Sequence, residues 1–249
     1  MYQTRRVRDL EISHSKRLLC ETCLRPARAC ICHCVEVLEC ATEVLILQHP
    51  AELKHIKGSA RLLHLCLSHS TMLIGEQFEQ DELQALLSKN NKSNVLLYPD
   101  SSISNSATNS ALNSGLNLSS NTLTVLPVVQ PIRLIVIDAS WRQSRQMLMQ
   151  NPVLQSLPRY ALRDVPASRY QIRRAHAPDQ LSTLEACTYA LMQLESASVQ
   201  CGRLLNAFDQ LNQLQMQFGV HNLLRTQKSH QILTKNLVLD RVDIWSITS

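Results

Sequence analysis

Four cysteines crowd into thirteen positions as Cys20-x2-Cys23-x6-Cys30-x-Cys32, with His33 and Cys34 directly after them. Two close thiol pairs across a short loop suit a tetrahedral metal ion, and Zn²⁺ is the usual occupant of such a set. The loop holds Pro26 and few apolar side chains, so a bound ion would order a segment with little core of its own. Four protein ligands leave no open coordination position, which makes the site structural. His33 or Cys34 could replace one of the four. The competing reading is chance clustering of small buried thiols, and four of nine cysteines in thirteen positions argue against it. Cys40, Cys66, Cys187 and Cys201 fall in apolar or helical patterns and read as core residues.

Three further motifs lie where strands end or helices begin, the places where α/β sheets bind ligands. His49-Pro50-x-Glu52 follows the apolar run EVLILQ. Asp138-Ala139-Ser140-Trp141 follows RLIVI, and Leu181-Ser182-Thr183-Leu184-Glu185-Ala186 opens a helical pattern. Each also has a plainer reading. Glu52 could be a solvated acid at a helix start, Asp138 and Ser140 a cap pair, and Ser182 with Glu185 a capping box. Trp141 could be core, yet it is one of two tryptophans in a chain with 4% aromatic residues.

The elements that must position these residues alternate. Glu43–Gln48, Thr71–Ile74, Asn94–Tyr98 and Arg133–Ile137 read as strands; the last is uninterrupted and apolar, as in a strand buried on both faces. Lys54–Ser68, Gln80–Lys89, Leu184–Glu195 and Cys201–Phe218 show helical spacing, and Ser140 caps a helix that runs to Gln150 before Asn151-Pro152. Tyr160–Val165 and Tyr170–Arg173 are short extended candidates. This alternation predicts an α/β fold with a mostly parallel sheet flanked by helices. Residues 1–40 read as a basic arm followed by the zinc knuckle, 41–218 as the α/β domain, and 219–249 as a tail of unassigned structure. Residues 100–122 are a Ser/Asn-rich insertion, expected to be flexible because so polar a tract cannot offset its ordering entropy.

The 249 residues are 45% hydrophobic and 18% charged, which excludes a disordered chain. Five glycines and the absence of GxGxxG and GxxxxGK[ST] exclude a glycine-rich phosphate loop. No apolar run approaches the ~18 residues of a membrane-spanning helix, and the N-terminus shows no signal-peptide pattern, so a cytoplasmic location and no membrane partner are the expectation. The net charge is +5. Arg133 to Arg174 holds eight arginines against Asp138 and Asp164, and residues 1–35 hold seven Lys/Arg against three acids. Two basic segments flanking the motifs favour a polyanionic substrate over a merely solvated surface.

The CxxC…CxC cluster with Arg25-Pro26, the HPxE motif, D-x-S-W after a buried strand, Asn151-Pro152 with Leu157-Pro158, and STLEA together resemble the DTW-domain family of tRNA-uridine aminocarboxypropyltransferases. The resemblance runs from about Cys20 to Glu195. Ser140 and Ser59 stand where the family usually has threonine, and each keeps a hydroxyl. The insertion has no counterpart in that pattern.

The resemblance implies a SPOUT-like, knotted α/β fold that binds S-adenosylmethionine and a tRNA partner, with a homodimer as the oligomer often formed by knotted relatives. The implied reaction moves the 3-amino-3-carboxypropyl group onto N3 of a uridine and releases methylthioadenosine. Asp138 is the nominated catalytic residue, as base or as positioning group. His49, Glu52, Asp138, Ser140, Trp141, Ser182, Thr183 and Glu185 are nominated for the cofactor, and Arg142, Arg145, Arg173 and Arg174 for RNA phosphates. Two other classes stay open: an RNA methyltransferase using the same cofactor, and a zinc-containing RNA-binding protein without catalysis.

Overall fold

A computed structural model of the chain describes residues 5–6, 18–55, 57–99, 131–169, 181–195 and 198–218. The insertion at 100–122, the tail at 219–249, the extended candidate Tyr170–Arg173, and Arg173 and Arg174 as phosphate contacts lie outside the described residues.

Six strands form one sheet: β1 (Arg5–Arg6), β2 (Glu43–Gln48), β3 (Ser70–Ile74), β4 (Ser93–Leu97), β5 (Ile132–Asp138) and β6 (Arg159–Tyr160). Their order is β1-β3-β2-β5-β4-β6. β1 is antiparallel to β3, and the other five strands are parallel. The helices are α1 (Ala60–Cys66), α2 (Gln80–Ser88), α3 (Trp141–Gln150), α4 (Pro152–Gln155), α5 (Thr183–Leu194), α6 (Ser198–Cys201) and α7 over 203–218. The α/β expectation therefore holds, with helices on both faces.

Alternation along the central strands divides the core. Val44, Ile46, Leu134 and Val136 face α1, α5 and α7, while Leu45, Leu47, Leu96 and Ile135 face α2, α3 and α4. The cysteine segment joins the first of these cores through Cys23, Ile31 and Cys34, all buried. Among the described residues, no helix is long and apolar enough to cross a membrane.

Two spans differ from the sequence expectation. Within Lys54–Ser68 the helix covers only Ala60–Cys66, and a 3₁₀ turn at Pro50–Lys54 precedes it. His49 caps that turn by accepting the Ala51 amide at Nδ1 (3.1 Å), and Pro50 suits its first position. Of Tyr160–Val165 only Tyr160 pairs, with Arg159 before it, beside β4.

Arg133 also departs from expectation. It was counted with the basic surface, yet it is fully buried on β5. Its Nε donates to Glu43 Oε1 (2.8 Å), and its Nη atoms donate to the carbonyls of Leu86, Leu87 and Lys89 at the end of α2. Burial works to raise the Glu43 carboxyl, but hydrogen bonds and charge from Arg133 and Lys92 outweigh it and hold that carboxyl below its ordinary range. Arg133→Ala should cost about 3–5 kcal/mol of stability, because it leaves three carbonyls without their donor and Glu43 with Lys92 alone. Urea unfolding measures this, and adding Glu43→Gln should recover part of the loss. A depressed folded-state pKa contributes stability above the unfolded value and loses it as pH falls through the folded value. Glu43→Gln should therefore flatten the acid limb of the stability profile below about pH 4.5.

Candidate functional site

The carboxyl ends of β2 and β5 are in register, so Gln48 lies beside Asp138. Gln48 Nε2 donates to Asp138 Oδ2 (2.8 Å). Thr183 Oγ1, at the first position of α5, donates to Asp138 Oδ1 (2.6 Å). Asp138 is buried and its two described partners are neutral donors. A carboxylate offers about four lone-pair directions, so acceptor capacity remains for an incoming N–H.

The neighbouring motifs are built around this group. His49 is buried, its Nδ1 accepts from Ala51, and its Nε2 faces Glu76 Oε1 (3.2 Å), which makes Nε2 the protonated nitrogen. Asn151 holds the loop that carries Glu76: its Oδ1 accepts the Phe78 amide (2.9 Å) and its Nδ2 donates to the carbonyls of Glu76 and Met147. The Asn-Pro motif is thus a brace for His49's partner as well as a helix stop. Ser59 Oγ accepts the Leu184 amide (3.2 Å) and joins the start of α1 to the start of α5.

Ser140 and Ser182 both close capping boxes, with Gln143 and Glu185 respectively. Glu185 has no exposed surface, and its carboxylate accepts from Ser182 N, Ser168 Oγ and Arg169 N. It shapes the chain entering α5, and with it the placement of Thr183.

Trp141, the first residue of α3, is 53% exposed. Tyr98, one residue beyond β4, meets it edge-on with ring centroids 5.9 Å apart and planes at 77°. The Tyr98 hydroxyl lies 3.2 Å from Ser144 Oγ, and the Arg159 guanidinium sits 5.3 Å from the Tyr98 ring centroid. Burial pushes the Tyr98 phenol up. Trp141 thus presents an open indole face on a braced base, suited to stacking on a nucleobase. Arg142 and Arg145 are exposed on the same helix. Gln48, Tyr98 and Arg159 were not nominated from the sequence. A polar residue ending an apolar strand is the signal common to Gln48 and Asp138, but their pairing is a tertiary fact.

The Sγ atoms of Cys20, Cys23, Cys30 and Cys32 all lie within 4.8 Å of one another, with Cys20–Cys32 at 3.6 Å and Cys23–Cys30 at 3.8 Å. A Zn–S bond of about 2.3 Å places tetrahedral sulfurs about 3.8 Å apart, so the set is compatible with zinc. Cys34 packs in the core and His33 is exposed, so neither joins the set. Leu24 adopts a left-handed backbone (φ 58°) directly after Cys23. The amides of Cys23 and Thr22 point at Cys20 and bring its thiol down to about 6, while burial pushes Cys32 up to about 12. Cys66 and Cys187 are core residues as expected. Cys40 and Cys201 are buried with Sγ atoms 3.9 Å apart, near Glu195, which accepts the Thr42 amide (2.8 Å).

A parallel α/β sheet with polar groups converging at its carboxyl edge, beside a four-thiol knuckle, defines the class. The DTW-domain family model matches residues 17–216, and the chain belongs to that family. It is 28% identical to tRNA-uridine aminocarboxypropyltransferase 2 of Mus musculus, over 84% of this chain and 68% of the relative. It is 29% identical to the protein of the same name from Macaca fascicularis, over 93% of this chain and 74% of the relative. The tRNA-uridine aminocarboxypropyltransferase A of Arabidopsis thaliana is 28% identical over 59% of this chain and 56% of the relative. No solved structure matches the chain.

Proposed function

We propose that this protein is a transferase that modifies tRNA, moving the 3-amino-3-carboxypropyl group of S-adenosylmethionine to N3 of a uridine. The observation that carries the reading is Asp138, a buried carboxylate held by Gln48 and Thr183, with an open indole next to its strand end. The names of the relatives support the substrate and the transferred group.

In the step itself the uridine N3–H proton passes to the Asp138 carboxylate. N3 attacks the donor carbon next to the sulfonium, the new C–N bond forms as the C–S bond breaks, and methylthioadenosine leaves as a neutral thioether. The leaving group needs no acid, so the remaining catalysis is proximity and orientation. Trp141 stacks on adenine or uracil, His49 and Thr183 border the donor, and Arg142 and Arg145 contact phosphates. Zn²⁺ is the ion proposed for Cys20, Cys23, Cys30 and Cys32, where it would order the knuckle. Nine free thiols, four of them at metal spacing, suit a reducing cytoplasm. The knotted SPOUT-like crossing belongs to the same reading. A homodimer is the proposed oligomer, to be read by light scattering.

Incubating the protein with S-adenosylmethionine and tRNA lacking the modification should yield aminocarboxypropyl-uridine and one methylthioadenosine per transfer, read by nucleoside mass spectrometry. S-adenosylhomocysteine as the product instead identifies a methyltransferase. No mass change on any tRNA, with RNA binding intact, identifies a non-catalytic binding protein.

A further inference from the structure

A cavity of ≈ 60 Å³ opens between the cysteine knuckle and the carboxyl ends of β2 and β3. Arg25, Arg61, Glu52 and Gln48 are among its lining residues. Arg25 donates from Nη2 to the Gly58 carbonyl (2.7 Å), and Arg61 from Nη2 to the Thr22 carbonyl (2.6 Å). These bonds fix both guanidinium groups at the cavity. The Nε–H of Arg61 is buried and has no hydrogen-bond partner among the described residues. Leaving a buried donor unpaired is costly, and a guanidinium fork matches a carboxylate. Gln48 connects the cavity to the chemistry, because it lines the one and donates to Asp138.

We propose that this cavity takes the charged end of the donor's amino-acid chain, with its carboxylate on Arg61 and Arg25 and its ammonium on Glu52. The proposal rests on the functional reading above and supplies what that reading lacks. The other residues nominated for the donor (His49, Asp138, Ser140, Trp141, Ser182, Thr183 and Glu185) include no permanent cation, and an α-carboxylate leaving water needs one. An ordered water needs about 10–15 Å³ of such space, so ≈ 60 Å³ admits the carboxylate and the carbon that bears the ammonium. The cavity places a second role on the knuckle, since Arg25 belongs to its loop and Arg61 is anchored to Thr22 within it.

Calorimetric titration of the full chain with S-adenosylmethionine, its decarboxylated form and methylthioadenosine tests the site. The unsubstituted chain should prefer S-adenosylmethionine over the decarboxylated form by about 10-fold or more. Arg61→Gln should bring the two to within about 2-fold, with methylthioadenosine affinity and metal content unchanged. A preference that survives the substitution overturns the site, as does one lost together with methylthioadenosine binding. Should Arg61→Gln not fold, Glu52→Gln probes the same cavity without touching the knuckle. It should weaken both ammonium-bearing compounds alike and spare methylthioadenosine, and unchanged affinities overturn the site. If the unsubstituted chain binds none of the three compounds, the functional reading falls and this site with it. If that chain binds them without regard to the carboxylate, the site alone falls.

Discussion

Asp138→Asn should slow the transfer step by about 10²–10⁴-fold while S-adenosylmethionine affinity changes by no more than about 3-fold. The substitution keeps shape and removes basicity. In the native site Gln48 Nε2 donates to one carboxylate oxygen and Thr183 Oγ1 to the other. An asparagine can turn its carbonyl to Gln48 and its amide to Thr183, whose hydroxyl has lone pairs to accept it. Both contacts survive with one hydroxyl rotation, so the junction of β2, β5 and α5 stays intact. What is lost is the group that receives the N3 proton. Single-turnover rates with tRNA, set beside the donor's dissociation constant, separate the two effects. A rate within about 10-fold of the unsubstituted chain would show that Asp138 positions rather than accepts.

The contrast between legible and illegible residues follows the range of the interactions that place them. β2, β5 and α3 were readable because apolar runs, a serine cap and an Asn-Pro stop act within one element. The clustering of Cys20, Cys23, Cys30 and Cys32 was readable for the same reason, since the four are nearly contiguous in the chain. Arg133 was not, because a charge inside RLIVI looks like any other surface arginine until Glu43 and the end of α2 close around it. Arg159 was likewise counted as surface charge but is buried against the Tyr98 ring. Gln48 ends β2 and Tyr98 directly follows β4, and their importance comes from the residue on the next strand or helix. The capping motifs carried two messages at once. Ser182 and Glu185 form the box that their spacing predicts, and that box aims Thr183 at Asp138. The local rule was right, and its functional consequence required the sheet register.

With Zn²⁺ on Cys20, Cys23, Cys30 and Cys32 as proposed, stripping it should lower the thermal midpoint by about 10 °C and weaken donor binding with it. The knuckle has little apolar content of its own, and its short 3₁₀ turns at Ala27–Ala29 and Cys32–Cys34 each supply a single turn. It is held instead by two things. One is the proposed Zn²⁺, for which the four sulfurs stand close to tetrahedral spacing. The other is the shared core, into which it inserts Cys23, Ile31 and Cys34. Losing the first frees the segment that carries Arg25 and the Thr22 carbonyl on which Arg61 rests, and it exposes part of the core above α1. The remaining sheet has its own second core against α2, α3 and α4, so the chain should loosen on one side before it unfolds. Because zinc holds thiolates, acidification should release it as the ligands are protonated, and the loss should reverse on neutralisation with added Zn²⁺. Differential scanning calorimetry before and after chelation, with metal analysis at each step, measures the effect. A midpoint that moves by less than about 2 °C after verified loss of the metal would show that the shared core holds the knuckle without the ion.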